Sequence, residues 1–127
     1  MLTPLTREGN FQGITSSDVI YTIMPDRFAD GDIRNNEFFP KKKTYDPKNP
    51  EKYHGGDLKG IIQHLDYLKS LGITTILLTP VFDNKDDIGS SYHGYWMTDF
   101  YDVEEHFGTL EDYKELVREL HKRDMKL

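Results

Sequence analysis

The sequence predicts an α/β fold in which short parallel strands alternate with helices. Two apolar runs, 19–24 and 73–78, are each closed by a proline, as buried strands often are. A helical pattern of apolar residues lies between them, and a strand–helix–strand unit of this kind pairs its strands in parallel. A second helical pattern then leads to Met125, where a third strand would begin. The chain therefore reads as βαβα, truncated at the third strand, whereas a closed barrel of eight such units needs about 250 residues.

The first strand and first helix carry clear local signals. Val19 to Met24 is a continuous apolar and β-branched run without alternation, which is typical of a strand buried on both faces. Asp57 is placed as a helix N-cap, and Gly72 as the residue that ends the helix. Between them, apolar residues recur at helical spacing: Leu58, Ile61, Ile62, Leu65, Leu68 and Leu71.

The second strand and second helix follow in the same order. Ile73 to Leu78 reads as a buried strand. Thr109 then caps a further helix, with Asp112 three residues later as a weaker capping-box partner than glutamate. One face of this helix is apolar, with Leu110, Tyr113, Leu116, Val117 and Leu120.

Composition excludes several classes of protein. The formal charge is −6 and the basic residues are scattered, which argues against a nucleic-acid-binding surface. No apolar run approaches the roughly 20 residues of a membrane span. The sequence lacks cysteine, and its N-terminus lacks signal-peptide features, which leaves the compartment open. Residues 1–17 read as a linker or arm, and residues 18–127 as one α/β unit.

Two long polar loops, at about 26–56 and 80–108, follow the carboxyl ends of the predicted strands. α/β folds place their binding sites at these ends. The first loop holds oxygen-bearing side chains of the kind that bind Ca²⁺: Asp30, Asp32, Asn35, Asn36 and Asp57, with the Gly55 carbonyl as a further oxygen. Lys41 at loop position 12 excludes an EF-hand. On spacing alone, a solvated turn explains the Asp-Gly-Asp stretch better than a metal does.

The second loop holds an aromatic segment, Tyr92 to Trp96, with Gly94 in the middle. Aromatic faces suit apolar sugar surfaces, and His93 is available to hydrogen-bond a hydroxyl group. Packing at the edge of the domain explains the segment equally well. In an extended backbone Tyr95 and Trp96 would point in opposite directions, so only one would face a ligand.

The motifs, taken in order, strongly resemble those of the α-amylase family of glycoside hydrolases. They are Ile20-Tyr21, Pro25-Asp26-Arg27-Phe28-Ala29-Asp30-Gly31-Asp32, His54-Gly55-Gly56-Asp57-Leu58, Gly72-Ile73-Thr74-Thr75-Ile76-Leu77-Leu78-Thr79-Pro80, Tyr92-His93-Gly94-Tyr95-Trp96 and Asp99-Phe100-Tyr101. The resemblance runs from about Asp18 to Leu127. It is nearest to the cyclomaltodextrinase and neopullulanase branch, with the cyclodextrin glycosyltransferases a little further away.

This resemblance implies a (β/α)8 TIM barrel that acts on α-1,4-linked glucans by a retaining mechanism, through hydrolysis or transfer. The substrate would be starch, a maltooligosaccharide or a cyclodextrin. By position, the oxygen cluster of the first loop matches the calcium site of many members. Tyr95 matches the tyrosine that stacks on the sugar, and His93 matches the histidine that binds one of its hydroxyls. Trp96 is expected at the rim of this substrate-binding site.

The resemblance also implies what the chain lacks. The family's nucleophilic aspartate and general-acid glutamate lie on later strands, so no catalytic residue is expected within these 127 residues. We therefore expect an N-terminal portion of a catalytic domain that is inactive alone and prone to self-association through unpaired strand edges. Two alternatives remain: a non-catalytic, calcium-dependent carbohydrate-binding module, and a structural domain whose aromatic residues form its core.

Overall fold

A computed structural model describes residues 13–37, 43–85 and 89–127, so residues 1–12 of the expected linker lie outside it. We number the strands β1–β4 and the helices α1–α4 in chain order. They are β1 (Ile20–Ile23), α1 (Pro25–Phe28), α2 (Leu58–Gln63), α3 (Leu65–Ser70), β2 (Thr75–Leu78), β3 (Phe82–Asn84), β4 (Met97–Val103) and α4 (Leu110–Lys122). Two 3-10 turns, Ile33–Asn35 and Gly89–His93, lie in the two long loops.

The predicted parallel strands are present. β1 pairs with β2 in parallel, with Ile20 opposite Thr75 and Ile23 opposite Leu78. The end of the chain continues this arrangement, because Lys126 forms a parallel bridge to Thr75 on β2. Its backbone N–H donates to the Thr74 carbonyl at 2.9 Å, and its carbonyl accepts from the Ile76 N–H at 2.8 Å. This single bridge lies on the side of β2 where an opening barrel would place its third strand.

The helices cover one side of the sheet and form the core with it. Side chains of α2, α3 and α4 are buried against the strands, as the apolar spacing predicted. The buried hydrophobic residues are Ile23, Tyr53, Leu58, Ile61, Leu65, Leu68, Ile76, Val81, Val103, Phe107, Leu116, Leu120 and Met125. Both predicted caps form: Asp57 accepts from the Gly60 N–H, and Thr109 and Asp112 make a reciprocal capping box.

Within the described residues, no helix has the length and apolar character needed to cross a membrane.

The prediction that the first strand is buried on both faces was wrong for this chain. Ile23 is buried, but Ile20 and Tyr21 remain 52% and 41% exposed. On β2, Leu77 is 56% exposed. Ile20 and Leu77 lie on the face of the sheet opposite to buried Ile23 and Ile76. Tyr21 shares the face of Ile23 and is exposed at the outer edge of β1, with which no described strand pairs. The continuous apolar run therefore does not mean that both faces of β1 are buried among the described residues.

The first predicted helix is interrupted at His64, which separates α2 from α3. The His64 ring Nδ1 lies 2.7 Å from the Gly60 carbonyl oxygen, the acceptor that the His64 backbone N–H would use in a continuous helix. That N–H instead bonds the Ile61 carbonyl, three residues back. The apolar spacing of the helix did not indicate this interruption.

The sequence suggested that the second long loop is irregular throughout, but part of it forms regular structure. β3 and β4 form an antiparallel pair within it, with Phe82 opposite Val103 and Asn84 opposite Met97. Irregular register between these pairs marks local bulges. This strand pair carries the chain back past the aromatic segment and towards α4.

Candidate functional site

Asp57 organises the oxygen-rich first loop from a fully buried position. Its Oδ1 accepts from the backbone N–H groups of Gly60 and Gly31, at 2.7 and 3.0 Å. Its Oδ2 accepts from the Asp32 N–H at 2.9 Å and the Asn35 Nδ2 at 3.1 Å. These four donors occupy the roughly four acceptor positions of a carboxylate. Burial raises the pKa of Asp57 in spite of these bonds.

Asp30, Asn36 and Gly55 meet on the other side of this loop. The Asn36 Nδ2 donates to Asp30 Oδ2 at 2.7 Å. A β-carbon placed on Gly55 would lie 2.9 Å from Asp30 Oδ2 and 3.0 Å from Asn36 Oδ1, so the glycine backbone approaches both oxygens closely. The Oδ1 atoms of Asn35 and Asn36 are buried, and neither accepts a hydrogen bond from any residue that the structure describes. Unsatisfied buried acceptors of this kind suit an oxygen-ligated cation.

Asp32 differs from the rest of the predicted metal set. Its carboxylate pairs with the Arg34 guanidinium through two bonds of 2.8 and 2.7 Å. This pairing, together with the Arg34 backbone N–H, lowers the pKa of Asp32 to about 2. The structure thus places Asn35 with Asp57, and Asp30 with Asn36 and Gly55, while the Asp32 carboxylate is turned onto Arg34.

The aromatic segment is fixed by Gly94, which has a φ of +82°. A β-carbon at this position would lie 2.0 Å from the Pro80 carbonyl oxygen, so only glycine fits. The turn brings the Tyr95 N–H to the His93 Nδ1 at 2.9 Å. With Nδ1 accepting, a neutral His93 carries its proton on Nε2, which leaves a donor for a ligand.

Both neighbouring rings contact His93 and remain accessible. Tyr95 is 57% exposed, and its ring centroid lies 5.8 Å from that of His93. Trp96 is 41% exposed and meets His93 edge-on at 4.9 Å, with the Lys85 Nζ 5.9 Å from its ring centroid. An exposed tyrosine face next to an imidazole donor can contact both an apolar sugar face and one of its hydroxyls.

The protonation of His93 should be visible in the fluorescence of Trp96, the single tryptophan of the chain. Burial lowers the pKa of His93 below its ordinary 6.5, and protonation of Nδ1 would break the bond from Tyr95. The neutral ring therefore adds stability that is present above pH 6.5 and is lost as pH falls through the lowered pKa. We expect Trp96 emission to titrate with a midpoint below 6.5.

His93→Asn is the matched control for this titration, because it keeps an acceptor near the Nδ1 position and does not titrate in this range. Its Trp96 emission should stay flat between pH 7 and 5. A midpoint above 6.5 in the unsubstituted chain would contradict the predicted direction. An equal titration in His93→Asn would assign the change to another group.

The sequence analysis missed the buried residues that pack next to the aromatic segment. Tyr53 is buried, and its hydroxyl lies 3.1 Å from the Ser91 Oγ in the turn before His93. The Tyr53 ring stacks on His106 at 3.8 Å, and the His106 Nδ1 pairs with the buried Glu104. These contacts join residues up to 53 positions apart, so no local pattern predicts them.

A second acidic cluster was also unforeseen. One carboxylate oxygen from each of Asp83, Glu104 and Glu105 lies within 4.8 Å of the others. Glu104 Oε2 also accepts from the Asn84 N–H at 2.9 Å. Asp83 is on β3, and Glu104 and Glu105 directly follow β4.

Comparison with known proteins decides the family. The model of the α-amylase catalytic domain matches residues 22–127. The chain belongs to the α-amylase family. It is 49% identical over 111 residues to a cyclomaltodextrin glucanotransferase of Klebsiella oxytoca, and 39% identical over 113 residues to a cyclomaltodextrinase of Thermoanaerobacter pseudethanolicus. A crystal structure of an Anoxybacillus α-amylase is 54% identical, with a TM-score of 0.77.

The similarity covers most of this chain but a small part of each relative. It spans 84%, 89% and 87% of the chain in these three comparisons, and 17%, 19% and 22% of the respective relatives. The matched region is the N-terminal part of the family's catalytic domain, which is a TIM barrel. The bridge from Lys126 to β2 described above agrees with the opening of such a barrel. The family predicted from the motifs is confirmed, and members of both predicted branches are among the relatives. The glucanotransferase is more similar than the cyclomaltodextrinase, which reverses the order predicted for these two branches.

Proposed function

We propose that this chain provides part of the glucan-binding surface of an α-amylase-type glycoside hydrolase, and that it has no catalytic activity alone. The parent enzyme would hydrolyse or transfer α-1,4-glucosidic bonds by a retaining mechanism. The observation that carries the proposal is the pairing of an exposed Tyr95 ring with a His93 whose Nε2 is left as a donor. Its ligand would be a maltooligosaccharide, starch or a cyclodextrin.

Tyr95 would contribute a ring face and His93 a hydrogen bond to the same sugar. Contact with a glucose ring that removes about 50–80 Å² of apolar surface from water is worth about 1–2 kcal/mol. Trp96 would act at the rim, because its ring supports His93 edge-on. The acidic balance of the chain disfavours nucleic acid as a partner.

The test measures the binding of maltoheptaose to the chain by saturation-transfer NMR. Tyr95→Ala should weaken binding about tenfold, the equivalent of about 1.4 kcal/mol, because the ring face is lost. Tyr95→Phe should retain most of the binding. Tyr67 provides a matched control, since this tyrosine on α3 is also 57% exposed. If Tyr95→Ala and Tyr67→Ala bind as tightly as the unsubstituted chain, Tyr95 is not the sugar contact.

We also propose that the first loop binds one Ca²⁺ through Asp30, Asn35, Asn36 and the Gly55 carbonyl. Asp57 would join this set by exchanging some of its four N–H donors for the ion. The two buried asparagine Oδ1 atoms without a described donor are the main support. Asp32 completes the set implied by the family, but its carboxylate would have to leave Arg34 to take part. The ion would join residues 30–36 to residues 55–57.

Calorimetry with Ca²⁺ should show one site in the unsubstituted chain. Asp30→Ala should abolish the heat of binding, whereas Asp32→Ala should weaken it. Asp66→Ala is the control, because it removes a carboxylate that is 86% exposed and pairs with Arg123 at the end of α4. Equal calcium uptake by Asp30→Ala and Asp66→Ala would refute the assignment of this loop.

Self-association is a further expectation from the uncovered sheet. Ile20, Tyr21 and Leu77 leave an apolar surface exposed on β1 and β2. Exposed strand edges with apolar side chains favour pairing between chains. We therefore propose that the isolated chain associates with itself at high concentration.

A further inference from the structure

Arg27 lies at the meeting point of both loops. Its Nε donates to Asp26 Oδ2 at 2.6 Å, and one terminal nitrogen donates to the carbonyls of Pro50 and Lys52 at 2.8 and 2.9 Å. The face of the guanidinium covers the Tyr92 ring, with its central carbon 4.0 Å from the ring centroid. The edge of the Arg27 guanidinium thus bonds to the first loop, while its face contacts the aromatic segment.

The framework around Arg27 is fixed from the buried side. Asp26 is only 2% exposed and accepts from the backbone N–H groups of His54 and Gly55. Asp26 therefore sets the plane of the guanidinium, because the bond to Nε leaves little freedom of rotation. A charged pair of this kind, partly removed from water, strengthens the contact between the cation and a ring.

Tyr92 transmits this constraint to the proposed sugar contact. Its ring is half-buried against the core and lies edge-on to His93, with 5.3 Å between the centroids. Movement of Tyr92 would therefore move His93, whose Nδ1 in turn holds the Tyr95 backbone. The path from Arg27 to the exposed tyrosine passes through two side chains that contact each other directly.

We propose that Arg27 is a positioning residue for the sugar contact, acting through Tyr92 on His93 and Tyr95. The inference rests on the proposed glucan-binding function. Within the aromatic segment Arg27 contacts Tyr92 directly, so its path to the sugar contact passes through that ring. Lysine would keep the charge, but it cannot bond the three oxygens and cover the ring at once.

The experiment measures maltoheptaose binding and acrylamide quenching of Trp96 in the same set of variants. Arg27→Lys should weaken binding about three- to thirtyfold, the range expected for loss of a cation–π contact. Tyr92→Leu should weaken it similarly, whereas Tyr92→Phe, which keeps the ring face, should restore it. Arg118→Lys, on the exposed side of α4, is the matched control and should change neither readout.

The double variant tests whether Arg27 acts through Tyr92. Arg27→Lys should have little further effect on binding once Tyr92 is leucine. Full additivity of the two effects would overturn the proposal, and so would unchanged binding and quenching in Arg27→Lys. Measurements well below the unfolding transition of each variant exclude a general loss of structure.

Failure of the proposed function would look different. The unsubstituted chain would then not bind maltoheptaose, yet quenching of Trp96 without sugar would still report the placement of the segment. A higher quenching constant in Arg27→Lys and Tyr92→Leu, but not in Tyr92→Phe or Arg118→Lys, would support the positioning role. Equal quenching in all five proteins would refute it independently of the sugar.

Discussion

Replacing Gly94 with alanine is expected to abolish maltoheptaose binding and to destabilise the chain strongly. A side chain in the left-handed conformation of Gly94 costs about 1–2 kcal/mol. The new β-carbon would also lie 2.0 Å from the Pro80 carbonyl oxygen, and relief of such overlap costs about 1–3 kcal/mol more. Since the backbone must move at Gly94, the bond between Tyr95 and His93 cannot persist.

Gly72→Ala separates these two costs. Gly72 also has a positive φ, of +87°, but a β-carbon there would meet no atom within 4 Å. Chemical denaturation should therefore show a loss of about 1–2 kcal/mol for Gly72→Ala, with sugar binding intact. Gly94→Ala should lose more stability and all detectable binding. Retention of binding in Gly94→Ala would show that the segment does not depend on this turn.

The 127-residue chain is expected to hydrolyse no α-glucan above the background rate. Retaining hydrolysis needs two carboxyl groups about 5–5.5 Å apart across the scissile bond. Two carboxylates on β4 follow the aromatic segment, Asp99 and Asp102. Each is exposed and accepts a 2.8 Å bond from a nearby backbone N–H, of Tyr101 and Val103 respectively. Loss of catalytic groups lowers rates by up to about a millionfold.

The assay should follow release of reducing sugar from maltoheptaose and β-cyclodextrin by rigorously purified chain. Asp99→Asn and Asp102→Asn serve as matched variants. A trace of contaminating host enzyme would give activity that neither variant changes. Activity that co-purifies with the chain and disappears in either variant would contradict the prediction. It would mean that Asp99 or Asp102 takes part in catalysis.

The local signals in the sequence predicted the structure well. Caps depend on residues three or four positions apart, so Asp57 and Thr109 were both found from sequence alone. The parallel order of the strands followed from the helix between them. The break at His64 was missed because it arises from a side chain competing for a carbonyl, which apolar spacing does not reveal.

The β3–β4 pair was missed for a different reason. Between Met97 and Val103 only Val103 is buried, so no face of the strand carries a hydrophobic pattern. Contacts made over long sequence distances were equally hidden, including those of Arg27 with the first loop and with Tyr92. The candidate sugar and calcium residues came from the family resemblance, since the spacing of the residues alone favoured a solvated turn and left the aromatic segment undecided.

The most direct test of the proposed function is to map where a glucan binds on the chain. Assigned ¹H–¹⁵N and aromatic NMR spectra should be recorded during titration with maltoheptaose, with and without Ca²⁺. We predict that the largest shifts centre on His93, Tyr95 and Trp96. Shifts centred instead on Phe100 and Tyr101 of β4, which are 62% and 94% exposed, would contradict the account, as would no shifts at any sugar concentration.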